Sequence, residues 1–237
     1  MNLLTPVLLL LALSGCSSEV VPDFTQQCRA FFVNPAGTVS PPTVFPGNNY
    51  KQICQIRVNT YEYATLYDTA NRIPVYSAYK FDGIKHCVRN GSWYIEPQLE
   101  GQHYGPKMAS ESSVTQINNQ AVNEDYTGTS THHFVKGHLA PVLHATSQSC
   151  SDATFTLTNA APQNDKFNNG EWKRTENAVA KALGEKCTCT DITVTPLSSL
   201  AETTANAAAP DYSSQNPSFH HMTRDSNRST YQRFLDF

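Results

Sequence analysis

Two aromatic-rich runs of alternating residues, separated by a three-residue turn, constrain this chain more than any other feature. Tyr63-Ala64-Thr65-Leu66-Tyr67-Asp68 leads into Thr69-Ala70-Asn71, and Ile73-Pro74-Val75-Tyr76-Ser77-Ala78-Tyr79-Lys80-Phe81 returns. Alternation with β-branched and aromatic enrichment on both sides of a polar turn predicts a β-hairpin. Alternation already begins upstream at Cys54-Gln55-Ile56-Arg57-Val58. Pro74 has no N–H to give to a ladder, which predicts an edge position for its strand. Tyr61, Tyr63, Tyr67, Tyr76 and Tyr79 follow sheet spacing. They read as core and flank of that sheet rather than as a platform for stacking bases.

Around the hairpin the chain changes character. From Glu19 to about Tyr50, turn formers such as Asn34-Pro35-Ala36-Gly37 and Pro41-Pro42 predict an irregular arm, held by a disulfide between Cys28 and Cys54. Trp93 to Pro97 reads as a short strand. Residues 98–132 form a long polar excursion with a short helix near Glu111 to Val122. Ala153 to Asn159 alternates as a half-buried strand does. Glu171 to Leu183 has helical spacing, with Trp172, Val179 and Leu183 near one face and Gly184 as the stop. Thr188 to Val194 begins a further strand. From Ser198 the composition turns to Ala, Thr, Ser and Asn without periodicity, which predicts an irregular or poorly ordered tail. The expected organisation is a signal peptide over 1–18, one domain over 19–197 and a tail over 198–237.

The apolar run from Leu8 to Leu13 is shorter than the ~20 residues that span a bilayer. Small residues follow it at Ser14-Gly15-Cys16-Ser17-Ser18, which suits cleavage and secretion. Leu13-Ser14-Gly15-Cys16 also resembles a bacterial lipoprotein box, with Cys16 as the lipidated residue. No later stretch is apolar enough to insert stably into a membrane. Removing Cys16 leaves Cys28, Cys54, Cys87, Cys150, Cys187 and Cys189, an even set that fits an oxidising compartment. Asn90-Gly91-Ser92 and Asn227-Arg228-Ser229 are glycosylation triplets. Net charge is −3, whereas phosphate neutralisation supplies most of the affinity of non-specific nucleic-acid binders. Any contact with nucleic acid must therefore come from a local basic cleft.

The chemistry is concentrated between Asp125 and Glu176. A histidine closes the run Phe134-Val135-Lys136-Gly137-His138-Leu139-Ala140-Pro141. Then come Leu157-Thr158-Asn159-Ala160-Ala161-Pro162-Gln163-Asn164-Asp165-Lys166-Phe167-Asn168-Asn169-Gly170-Glu171-Trp172 and, further on, Glu176. Cutting a phosphodiester needs a base for water, a cation for the phosphoryl oxygens and fixed positive charge nearby. Neutral histidine suits the first role at physiological pH. Oxygen ligands from Asn and water suit Mg²⁺. A lone histidine is more often structural, and Asn-rich loops are usually turns. The ordered set carries the signal.

That set resembles the DNA/RNA non-specific endonuclease family, whose signature is Asp-Arg-Gly-His-Leu-Ala-Pro followed by Thr-Asn-x-x-Pro-Gln, Asn-x-Gly-x-Trp and Glu. The resemblance implies an α+β fold: a mixed, mainly antiparallel sheet with flanking helices and a ββα-metal nuclease site. It implies cleavage of DNA and RNA without sequence preference, with Mg²⁺ or another divalent cation. His138 is then the general base and Asn168 the single protein ligand to the metal. Glu176 holds one of the surrounding waters and Asn159 orients the site. Arg89, in Arg89-Asn90-Gly91-Ser92-Trp93, stands where some members place a phosphate-contacting arginine. Val135 and Lys136 replace the family's Asp and Arg: Lys136 keeps the charge without the bidentate fork, and Val135 removes a carboxylate. Tyr63–Asp68, Arg72–Tyr79, Trp93–Leu99 and Asp125-Tyr126 are similar to the endonuclease domain-containing 1 subgroup, in which the catalytic motif varies. The likeness covers roughly residues 24–190. It leaves three functional classes: a secreted nuclease, a catalytically weak nuclease-like binding protein, and a lipoprotein anchored through Cys16. The pairs His132-His133 and His220-His221 point apart and hold no shared metal. His144, six residues after His138, is spaced to face the site but reads as a loop residue.

Overall fold

The computed structural model describes residues 19–33, 37–42, 45–127, 134–186 and 192–196. The expected hairpin is present as β3 (Thr60–Asp68) and β4 (Ile73–Lys80). Asp68 builds its turn. One carboxylate oxygen accepts from the backbone N–H groups of Ala70 and Asn71 and from the Asn49 amide, the other from the Asn71 amide. Arg72 takes the left-handed conformation that completes the reversal, with φ of 57°.

β2 (Tyr50–Arg57) pairs with β3, β1 (Glu19–Val21) with β2, and β7 (Ile192–Pro196) with β4. The sheet order is β1-β2-β3-β4-β7, and every pairing is antiparallel. β5 (Phe134–His138) and β6 (Ala160–Asn164) form a second, two-stranded antiparallel sheet. With α1 (Gln148–Ala153), α2 (Asp165–Phe167) and α3 (Lys173–Lys186), the fold is α+β, as expected. Pro74 is not on an edge strand. β4 is interior, but β7 covers only Tyr76 to Lys80, so Pro74 lies beyond its end and beside a register shift at Leu66/Tyr67.

Both faces of the five-stranded sheet are covered, so β3 is buried without interruption from Glu62 to Asp68. Ala64, Leu66, Tyr76 and Ala78 pack under the N-terminal arm with Phe24, Phe31, Phe32 and the Cys28–Cys54 disulfide. The arm is therefore part of the core. Its turn formers set its path, while its phenylalanines bury it and Glu19–Val21 pairs as a strand. The opposite face carries Tyr63 and Tyr79 against Ala140 and Ala153. Its polar atoms reach upward into the site.

Three expected elements are absent. Over 98–127 there is no α-helix, only 3-10 turns at Pro97–Leu99, Glu111–Ser113 and Asn123–Tyr126. Side chains engage the backbone there instead: the Glu111 carboxylate accepts from the N–H and amide of Asn123, and Glu100 accepts from Asn118, Asn119 and Gln120. Ala153 to Asn159 is not a strand but the end of α1 and a 3-10 turn at Leu157–Asn159. The hydroxyls of Thr154 and Thr156 donate back to Ser151 and Ala153, and the whole segment is buried. Trp93 to Pro97 reduces to bridges of Tyr94 with Thr156 and Ile95 with Ala109.

The helical segment starts before Glu171 and runs past Gly184. α2 passes through a π-turn at Asn168–Trp172 into α3, which ends at Lys186. Trp172 and Ala180 are buried, Val179 and Leu183 half-buried. Among the described residues no helix is long and apolar enough to cross a membrane. The thiols of Cys87 and Cys150 are free. The leader with Cys16, His132-His133, Cys187, Cys189 and the segment from 198 lie outside the described residues.

Candidate active site

β5, β6 and the helical segment after them make a ββα unit on the polar face of the large sheet. His138 ends β5, opposite Ala160. Gly137 is required just before it, because a Cβ there would overlap the buried Gln163 side chain of β6. The Trp172 indole N–H donates to the His138 carbonyl at 3.0 Å, tying the strand end to the start of α3.

The His138 imidazole is only 7% exposed. Trp93 lies over it with ring centroids 4.8 Å apart, and Phe155 meets it edge-on at 4.9 Å. Burial, assisted by the positive charge of Arg89, pushes its pKa down to about 3, so the ring is neutral at all physiological pH. Nε2 has no hydrogen-bond partner within the protein. A buried nitrogen left unpaired is costly, and an imidazole kept bare and neutral is in the state a proton acceptor needs.

Asn159, the residue before β6, is fully buried, and its carbonyl accepts from Leu139 N just after His138. Its Oδ1 accepts from Ala140 N at 2.8 Å and from Ser77 Oγ at 3.0 Å. Its Nδ2 donates to the carbonyls of Ala140 and Thr154, both at 3.0 Å. The amide is saturated, so Asn159 cannot reach a substrate; it shapes the chain that leaves His138. Because Ser77 must donate to Asn159, Thr65 Oγ1 donates to Ser77 across 2.8 Å. A polar thread thus runs from β3 through β4 to the site.

Asn168 opens the π-turn half-exposed, with no side-chain hydrogen bond to the protein, and no direct contact links it to His138. Eight residues along an ideal α-helix leave two side chains about 80° apart around the axis. A π-turn advances by less angle per residue, which brings Asn168 back toward the face of Glu176. Burial pushes the Glu176 carboxyl up to about 7, offset in part by Arg89, the Trp172 indole and Lys173. Arg89 is exposed, with its guanidinium 5.5 Å from the centre of the Phe155 ring, and its charge acts on both His138 and Glu176. Lys136 sits between rings, its Nζ 5.5 Å from Trp93 and 5.3 Å from Tyr126. Burial lowers its pKa, with Glu111 opposing.

Among the described residues no three His, Cys, Asp or Glu side chains cluster to enclose a metal. The oxygen donors present fit a divalent cation that keeps most of its waters: an unengaged Asn168 amide and a Glu176 carboxyl that a nearby cation would help to ionise.

Several contributors escape a reading of the sequence. Trp93 and Phe155 cover the base, Trp172 ties its carbonyl, and Tyr126 flanks Lys136. Only the spacing of Trp93 from Arg89 hinted at a shared location. His144 is not a loop residue. It is 2% exposed, its Nδ1 is 2.9 Å from Tyr79 OH, and its Nε2 is 2.8 Å from the Glu176 carbonyl.

The family profile of the DNA/RNA non-specific endonucleases matches residues 41–218. The Endonuclease domain-containing 1 protein of Homo sapiens is 31% identical over 167 residues, 68% of this chain and 32% of that protein. Its Mus musculus counterpart is 27% identical over 168 residues, again 68% of this chain and 32% of that protein. The chain therefore spans about a third of the length of the curated relatives it matches. The crystal structure of the EndoG/EndoGI complex, which concerns the mechanism of EndoG inhibition, superposes with a TM-score of 0.37. It is 22% identical, over 58% of this chain and 49% of that one.

Proposed function

Since the chain belongs to the DNA/RNA non-specific endonuclease family, we propose that it is a secreted, metal-dependent nuclease that hydrolyses DNA and RNA phosphodiester bonds with His138 as base. The observation that carries this reading is the buried, neutral imidazole with an unpartnered Nε2, covered by two rings that carry the cationic side chains of Arg89 and Lys136. Secretion is supported by the short apolar leader and the Cys28–Cys54 disulfide.

In this mechanism His138 Nε2 takes a proton from the attacking water. Asn159 keeps the strand exit fixed while it does so, and Arg89 and Lys136 attract the phosphate backbone. Asn168 would ligate the divalent cation and Glu176 would hold it through one of its waters, with Mg²⁺ as the natural occupant. When bound, it would supply neutralisation of charge on the phosphoryl and leaving oxygens. Substrate can reach His138 only after Trp93 moves off the imidazole.

Purified protein is expected to cleave both plasmid DNA and RNA in Mg²⁺, and to stop in EDTA. A folded, disulfide-intact sample that cuts neither would favour the alternative of a weak nuclease-like binding protein. Three features lend weight to that alternative: Val135, Lys136 and the covered base.

The pH dependence has a definite sign. Glu176 must lose its proton to act as an oxygen donor, and its carboxyl titrates at about 7 without metal, while His138 stays neutral. The Mg²⁺ concentration for half-maximal rate is therefore expected to rise as pH falls through about 7. A Mg²⁺ requirement constant between pH 8 and 6 would remove Glu176 from the site.

A further inference from the structure

We infer that His144 and Tyr79 are positioning residues, which hold the Glu176 turn of α3 at a set height above the central sheet. The inference rests on the proposed nuclease reading, because it concerns the same carboxyl. In the neutral ring the hydrogen bonds have only one consistent assignment. A carbonyl can only accept, so the contact to Glu176 requires the proton on Nε2. Nδ1 of the neutral ring is then bare, and Tyr79 OH donates to it. A directional chain results, from Tyr79 through the imidazole to the main chain of Glu176.

Its two ends differ in rigidity. Tyr79 lies in β4, paired on both sides with Tyr63 of β3 and Thr193 of β7. Glu176 lies in the first turn of α3, just past the wide π-turn. The wide turn gives up regular α-helical geometry, so a fixed point immediately after it limits how far the Asn168–Glu176 spacing can vary. Phe81 meets the ring edge-on, with centroids 5.3 Å apart, and Tyr79 lies tilted against it at 5.6 Å. The imidazole therefore has little room to rotate. His144 touches no reacting group: it acts through the backbone of Glu176.

The test uses the whole chain with His144→Phe, His144→Gln and Tyr79→Phe. Phe keeps the ring packing and loses both hydrogen bonds, whereas the Gln amide N–H can still reach the Glu176 carbonyl. The readouts are Mn²⁺ affinity by electron paramagnetic resonance, kcat and KM on plasmid DNA, and melting temperature. Losing an outer support of a metal site typically costs 10–100-fold in affinity or activity. His144→Phe is expected to weaken Mn²⁺ binding and lower kcat by about tenfold or more, with KM little changed and His144→Gln restoring most of both. Tyr79→Phe should show a smaller loss in the same direction, and it carries the test if His144→Phe does not fold. Folded variants with lower melting temperatures but unchanged Mn²⁺ affinity and kcat would overturn the inference, leaving a packing contact. Wild-type protein that neither binds Mn²⁺ nor cleaves would overturn the nuclease reading and this inference together. Wild-type activity with indifferent variants would overturn the positioning role alone.

Discussion

Replacing His138 with alanine should lower plasmid and RNA cleavage by about 10²–10⁴-fold, the usual contribution of a positioned general base. The loss should fall on kcat, because the imidazole lies under Trp93 and contributes little to holding a substrate before that ring moves. The fold should survive. The substitution opens a space between Trp93 and Phe155 but also removes a buried nitrogen that has no partner. Circular dichroism and a melting curve beside the cleavage assay would establish this. A folded His138→Ala protein retaining a tenth or more of wild-type kcat would exclude the imidazole as base.

The largest stability effect should come from Asn159→Ala. Four buried hydrogen bonds vanish together, to Ala140 N, the Ala140 carbonyl, the Thr154 carbonyl and Ser77 Oγ. At about 1 kcal/mol or more for each buried group left unsatisfied, the cost is about 3–5 kcal/mol, a large fraction of a domain's total. Urea unfolding would report it as a lower midpoint. Asn159→Asp should not restore stability, because it sets a carboxylate oxygen against two carbonyls that need a donor. A cost under about 1 kcal/mol in the alanine variant would mean that water replaces the amide, contrary to a closed network.

The parts of this molecule that can be read from the sequence obey a regular period or a fixed spacing. The Tyr63–Asp68 and Ile73–Phe81 runs announced their hairpin because both are rich in β-branched and aromatic residues and a polar turn separates them. The ββα motif was visible through the order of His138, Asn159, Asn168 and Glu176, with a family resemblance to attach roles to them. Ala153 to Asn159 misled because its alternation arises from Thr hydroxyls that bond back to their own turn, not from two differently solvated faces. The helix expected near Glu111 failed for a related reason: Glu100 and Glu111 spend their carboxylates on distant Asn and Gln residues. His144, Trp93 and Phe155 come to the site from three separate stretches of chain. No local pattern in any of them carries the meeting point, and the saturation of Asn159 becomes visible only when Ser77 and Ala140 are seen beside it.

The π-turn makes the winding of one short segment as consequential as its composition. Between Asn168 and Trp172 the chain holds more residues per turn than an α-helix does. Wound as a regular α-helix, the same eight steps would set Asn168 about 80° around the axis from Glu176. Every side chain named in the site would still be present. A substitution at Asn169, Gly170 or Glu171 that restores regular winding would therefore misalign the two groups without removing either. A relative aligned by residue identity alone could keep all the matching letters and still have its amide and its carboxyl facing different ways.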